Sequence, residues 1–328
     1  MKLAKGNATK GASELKNALR LYLHRKANKR ALINMAWVVV RTVLLLGLVF
    51  MILYPLIVKF SASIKGENDM GDPSVMFIPK TPSFQYYKVV YNSVDYLSTL
   101  FYSVGFTLFN SIIQIMSCIL VAYGLARFRF KGNKLVFGMV LITLVIPPQT
   151  LLLPLFLRFK HFNPMQFFKF TGELWGIDLT NTIIPFLMLS LTALAFKNGL
   201  YIFMLMQYYR NTPVALEEAA YIDGCGVFKT FIRIMLPGAL PIIVSVYLFS
   251  FVWQWTDSYY VAMLAPNLPI LSNKLFGLDF SVLGADSSIF TAMLNTPKFF
   301  LLTFPLFLLY IFAQRFFTES IERSGTVG

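Results

Sequence analysis

The sequence predicts an all-α polytopic membrane protein with about six transmembrane helices and both termini in the cytoplasm. Three observations carry that expectation. Of 328 residues, 57% are hydrophobic and 13% charged, and that charged share is about half what an ordinary soluble domain carries. Thirty-three Phe and sixteen Tyr exceed what the core of a water-soluble domain this size can bury, so apolar surface is left to face lipid. Several segments also reach the roughly 20 mostly apolar residues that a spanning helix requires.

Taken in order, the expected spans are Ala36–Phe60, Leu97–Ala126, Leu135–Leu157, Ile183–Met206, Gly238–Leu264 and Lys298–Phe317. They form a membrane domain over residues 36–318, between a basic tail at 1–35 and a short tail at 319–328. The first and third are strongly apolar, whereas the second, fourth and fifth carry polar residues in their middles. Before Ala36 stand Lys2, Lys5, Lys10, Lys16, Arg20, Arg25, Lys26, Lys29 and Arg30 against the single acid Glu14. The second-to-third connection holds Arg127, Arg129, Lys131 and Lys134 with no acid, while the first connection carries Glu67, Asp69, Asp72 and Asp95 against Lys65, Lys80 and Lys88. Cytoplasmic connections concentrate Lys and Arg, so the N-terminus is expected inside. Arg158 and Lys160 run against the scheme but are outnumbered. This long basic lead, with no small-residue cleavage site after a short apolar run, does not read as a cleavable signal peptide.

The net charge of +14 clusters at the tail and connections rather than over a folded surface, which excludes nucleic-acid binding. Cys118, Cys225, His24 and His161 are scattered, so neither a disulfide framework nor a metal site is expected.

The most informative stretch lies in the connection 207–237, expected in the cytoplasm: NTPVALEEAAYIDGCGVFKTFIRIMLPGALP, from Asn211 to Pro241. Thr212-Pro213 reads as a hydroxyl cap followed by a proline at the first helical position. A short helix is expected over Val214–Ile222, a bend at Gly224 and Gly226, and a second helix over Val227–Met235. Such a helix–bend–helix is a knob at the membrane face. Taken alone it fits an amphipathic loop resting on the membrane as well as a docking element.

Glu218-Ala219-Ala220, three residues, Gly224, nine residues, then Ile234-Met235-Leu236-Pro237 resembles the EAA signature of ABC importer permeases. The wider EEAAYIDG is similar to the version in sugar importers of the maltose-permease type. Weaker likenesses extend it: Tyr123–Phe128 after the second span, Ile146-Pro147-Pro148 in the third, Trp255-Thr256-Asp257 in the fifth, and Gln314–Phe317 at the C-terminal tail. Thr256 stands where the family has Asn.

The resemblance implies a permease subunit of an ATP-driven sugar or oligosaccharide importer in the bacterial cell membrane. Its implied partners are a cytoplasmic ABC ATPase dimer, a second, non-identical permease and an extracytoplasmic solute-binding protein. Glu217, Glu218, Ala219, Ala220, Asp223 and Gly224 would carry coupling to the ATPase. The chain lacks a GxxxxGK[ST] phosphate loop and a nucleophile–base–acid set. It is therefore expected to be no enzyme and to bind no cofactor, ATP being used by the partner ATPase.

Polar side chains in spans face a cavity or another helix, which selects Asn110, Gln114, Lys197, Asn198, Trp253, Gln254 and Asp257 as a substrate pathway. Asn110 and Gln114 equally fit bonds between helices, and Trp253 and Trp255 fit interfacial anchors. Lys197, some 14 positions into the fourth span, needs an acidic sugar, a carboxylate of the partner permease, or a helix end placed elsewhere. A permease for a non-sugar solute and an ion-coupled secondary transporter remain as alternatives. The second predicts a longer chain with inverted repeats.

Overall fold

The computed structural model describes residues 34–70, 72, 74–75, 77–163, 176–278 and 288–325. The basic tail, the last three residues and parts of the first, third and fifth connections lie beyond the described residues. Among the described residues the chain is helical, with isolated bridges only, at Lys65–Pro82 and Phe162–Ile177. It divides into residues 1–82 and 83–328.

The first unit holds α1 (Asn34–Ser63), whose apolar side chains are exposed along its length. After it, α2 (Glu67–Met70) opens a loop that closes on itself. The Thr81 N–H donates to Asp69 Oδ2 at 2.7 Å, and Lys80 pairs with Asp72 at 2.7 Å. Lys80, with help from Ser74, holds the exposed Asp72 carboxyl below the usual carboxylate range.

In the second unit α3 (Gln85–Ser93) leads to α4 (Tyr96–Arg127), the long central helix. One face of α4 is buried at Thr99, Ser103, Thr107, Asn110, Ser111, Gln114, Cys118 and Ala122, a repeat of three to four residues that puts them in one stripe. Phe101, Phe109, Ile112, Met116 and Leu120 are exposed. The helix is polar inward and apolar outward, as expected where lipid is the solvent.

After α4 come α5 (Asn133–Val145) and α6 (Pro148–Lys160), then α7 (Ile184–Leu191) and α8 (Asn198–Asn211). The next connection holds α9 (Ala215–Ile222), α10 (Val227–Thr230), a π-helical turn at Phe231–Met235 and α11 (Leu236–Gly238). The chain returns through α12 (Leu240–Thr256), α13 (Tyr259–Leu264) and α14 (Leu271–Phe276), and ends in α15 (Ser288–Gly325). Helix α4 packs against α7, α8 and α12. The core between them holds Ile115, Tyr123, Tyr201, Leu205, Met206, Tyr209, Phe231 and Val246. Gly199 sets the α5–α8 approach: a Cβ there would lie 2.2 Å from Thr143 Oγ1 and 2.9 Å from the Val140 carbonyl oxygen. Close backbone approach over a small residue is how helices associate where apolar burial alone supplies no driving force.

The breaks differ from the expected spans. The third span is two helices bent by 104°. Prolines 147 and 148 force Ile146 and Pro147 into extended backbone, with ψ 122° and 129°. The fourth is also two helices, separated at residues 192–197, where Ala193 and Lys197 take left-handed φ of 56° and 66°. Lys197 therefore caps α8 instead of lying deep in a continuous helix. The fifth ends α12 at Thr256 and resumes as α13 after Asp257 and Ser258. By length and composition Asn34–Ser63, Tyr96–Arg127 and Met293–Gln314 can each cross a membrane, and two bent pairs raise that to five among the described residues.

Helix α15 contains Pro297 and Pro305. Pro305 has no N–H for the carbonyl four residues back, that of Leu301. Tyr96 Oη donates to that oxygen at 2.8 Å, and Trp255 Nε1 donates to the adjacent Leu302 oxygen at 2.9 Å. A neighbouring helix thus satisfies the carbonyl that Pro305 frees. Trp255 is buried by this bond and is not an interfacial anchor.

Candidate functional site

Two separate places collect the residues singled out from the sequence. The first lies in the middle of the helices, where α4 offers Asn110 and Gln114 one turn apart to α7, α8 and α12. Asn110 Nδ2 donates to Gln254 Oε1 at 2.8 Å, and Ser190 Oγ donates to Asn110 Oδ1 at 2.9 Å. Gln114 Oε1 accepts from Ser250 Oγ at 2.6 Å and from Gln254 Nε2, while Gln114 Nε2 donates to Asn198 Oδ1 and, at 2.9 Å, to the Phe196 carbonyl. The last bond holds the α7–α8 break open by satisfying a carbonyl that a continuous helix would have used. Buried amides cost several kcal/mol when unpaired, so this network fixes four elements relative to one another.

Around the network lies a cavity of about 40 Å³ lined by Asn110, Gln114, Trp253, Gln254 and Asp257 among others. Beside it a larger one, of about 200 Å³, is lined by Gln149, Trp253, Thr256, Asp257, Tyr259 and Tyr260. Both share Phe196, Trp253, Asp257 and Tyr260. Asp257 Oδ1 accepts the N–H groups of Tyr259 at 3.1 Å and Tyr260 at 3.2 Å, which aims the carboxylate at the start of α13. Thr256 bonds back to the Val252 carbonyl at 2.8 Å. Lys197 rests its ammonium over the rings of Trp253 and Phe196, 4.5 and 4.9 Å from their centroids. Five of the seven pathway residues therefore line a cavity, Asn198 braces it from behind, and Lys197 stands one ring away. Ser190 and Ser250 were not singled out. Their signal is a lone hydroxyl inside an otherwise apolar run.

The second place is the knob at α9–α10. Glu218, Ala219, Asp223 and Gly224 are exposed, with Ile222 and Phe228 projecting beside them at 86% and 72% exposure. Gly224 has φ 78°, its N–H bonds the Tyr221 carbonyl, and the Cys225 N–H reaches back to Ala220 at 2.9 Å. This pair of bonds is the Schellman ending of a helix, which calls for glycine at the left-handed position. Thr212 does not cap α9 as expected; its hydroxyl donates to the Tyr208 carbonyl at 3.0 Å and α9 begins after Val214.

Glu217 and Ala220 face the other way. Glu217 is 5% exposed, and its Oε1 lies 3.2 Å from Arg127 Nε and accepts the Tyr123 hydroxyl at 3.0 Å. The Arg127 Nε–H is not aligned for a hydrogen bond, so that contact is one of charge. Arg127 Nη2 donates to the Thr212 carbonyl at 2.7 Å. The base of α9 is thereby tied to the end of α4. Spacing carries the signal for this: 217 and 220 share one helical face and 218, 219 and 222 take the others.

Residues 114–319 match the family described as binding-protein-dependent transport system inner membrane component. Among similar proteins, the arabinooligosaccharides transport system permease protein AraQ of Bacillus subtilis is 25% identical over 294 residues, covering 88% of this chain and 95% of AraQ. The galactooligosaccharides transport system permease protein GanQ of the same organism is 26% identical over 290 residues, covering 87% and 94%. A crystal structure of a bacterial ABC transporter involved in the import of the acidic polysaccharide alginate superposes with a TM-score of 0.63 at 19% identity, over 85% of this chain and 95% of that one. That likeness shows a shared fold.

Proposed function

The chain belongs to the family of binding-protein-dependent transport inner membrane components, and from that membership we propose that it forms half of the translocation pathway of an importer for a sugar or oligosaccharide. Membership makes it a multi-pass permease without enzymatic activity of its own, working with an ATPase and a solute-binding protein. The sugar class is supported by the names of AraQ and GanQ and by a cavity whose amides, hydroxyls and aromatic faces suit sugar rings. The single observation that carries the reading is the exposed, glycine-terminated knob at α9. It offers Glu218, Ala219 and Asp223 outward while Glu217 anchors it to α4.

In this reading the knob docks on the ATPase. A push there moves α4, whose Asn110 and Gln114 hold α7, α8 and α12 about the cavity. Rigid helices that shift as packed bodies are a common way to convert such a push into alternating access. About six spans, cytoplasmic termini and a non-identical partner permease complete the proposal.

Ala219→Arg places a long cation on the docking face without touching the core. Affinity purification from native membranes should recover an ATPase, a second permease and a binding protein with the wild type. It should recover little ATPase with Ala219→Arg. Recovery of the ATPase in equal amount with the variant would remove the knob from the interface, and recovery of no ATPase with the wild type would undo the importer reading.

A further inference from the structure

Lys197 poses a physical problem that the transport reading does not absorb. It caps α8 in left-handed backbone, a conformation that side-chained residues adopt rarely. Among the described residues no carboxylate lies within ion-pair distance of its ammonium. Its ammonium is held over the faces of Trp253 and Phe196. A cation among membrane helices faces a cavity or pairs with an acid or with backbone carbonyls.

The two rings that hold it also line both cavities. A cation over aromatic faces is attracted weakly, compared with a charge-assisted bond to a carboxylate. Lysine's flexible four-carbon stem and three donors let the ammonium leave the rings and reach an anion entering beside them. The larger cavity, about 200 Å³ with Gln149, Thr256, Ser258, Tyr259 and Tyr260 on its walls, has room for a single monosaccharide ring. Asp257, the acid on that wall, has one carboxylate oxygen bound to the first N–H groups of α13, which fixes its place on the wall.

We infer that Lys197 is a specificity residue for an acidic saccharide: it parks on Trp253 and Phe196 when the pathway is empty and pairs with a sugar carboxylate as a uronate-type ring passes. This rests on the sugar-importer reading and narrows it to an anionic class. Trp253 then has two uses, as a seat for the ammonium and as part of the cavity wall.

The complete importer, purified with its ATPase, partner permease and binding protein, is reconstituted into proteoliposomes. ATP-dependent uptake of an oligouronate and of a neutral oligosaccharide of equal length is measured for wild type, Lys197→Met and Lys197→Arg. Met keeps the stem and removes the charge; Arg keeps the charge. The wild type should import the oligouronate, Lys197→Met should lower that uptake at least tenfold in complexes that assemble in full, and Lys197→Arg should retain most of it. Import of the neutral sugar alone by the wild type would overturn the anionic class and leave the importer intact. Equal oligouronate uptake by Lys197→Met would remove Lys197 from recognition. Failure of Lys197→Met to assemble with the partner permease, with Lys197→Arg assembling normally, would assign the ammonium to an acid of that subunit instead. Import of neither sugar by the wild type would bring down the sugar reading itself.

Discussion

Arg127 and Glu217 are each nearly sealed from solvent, with side-chain exposures of 8% and 7%. Two buried charges in contact are costly to separate, because removing one strands the other: about 3–5 kcal/mol in comparable cases. Glu217→Leu and Arg127→Met should each loosen α9 from α4. Proteolytic nicking within 207–237 should then be faster, and ATP-coupled uptake should fall while the spans stay assembled. The double variant should recover part of the loss, since no stranded charge remains. Nicking of Glu217→Leu at the wild-type rate would mean that the pair does not hold the knob. The signature around Glu218 and Gly224 was legible in the sequence. The inward turn of Glu217 was not, because its partner Arg127 lies 90 residues earlier, on a helix whose basic end read as a topology signal and a family likeness but named no partner.

At the scale of the helix, α15 and the α7–α8 break show where reading from sequence holds and where it fails. Pro305 announces a freed carbonyl, and the structure supplies the donor in Tyr96. Tyr96→Phe should therefore destabilise the protein by about 1 kcal/mol, the usual net worth of such a bond. Pro305→Ala would give the Leu301 carbonyl an N–H of its own, so the same Tyr96→Phe change should cost less in that background. Thermal denaturation of the four proteins in detergent checks the cycle, and an equal shift in both backgrounds would break the link between proline and tyrosine. The break at 192–197 had only an ambiguous herald in Lys197, whose charge allowed a helix end there among other readings. Thr192 to Lys197 contains neither glycine nor proline. What opens it is tertiary: Gln114, from another helix, takes the Phe196 carbonyl. A bond between elements far apart in sequence leaves no local pattern to read.

For the molecule as a whole, composition and charge asymmetry made the helical membrane fold legible, and the spacing of the coupling loop made its family legible. The number of crossings stayed out of reach because prolines and tertiary hydrogen bonds divide the apolar runs. Single cysteines at Ile222 and at Ile78, introduced after removal of Cys118 and Cys225, should react from opposite sides of the membrane with an impermeant thiol reagent, Ile222 from the cytoplasm. Reaction of both from one side would refute the proposed orientation. The polar stripe on α4 bears finally on how the chain is made. Gln114 finds its partners Ser250 and Gln254 only 136 and 140 residues later. At about 5–20 residues per second of synthesis, the amides of α4 wait roughly 7–30 s for α12 to emerge. During that interval a newborn chain holds exposed polar groups that lipid cannot satisfy. A chain stopped before Leu240 would have Ser190, Phe196 and Asn198 for the α4 amides but would leave Gln114 Oε1 without the donors of α12.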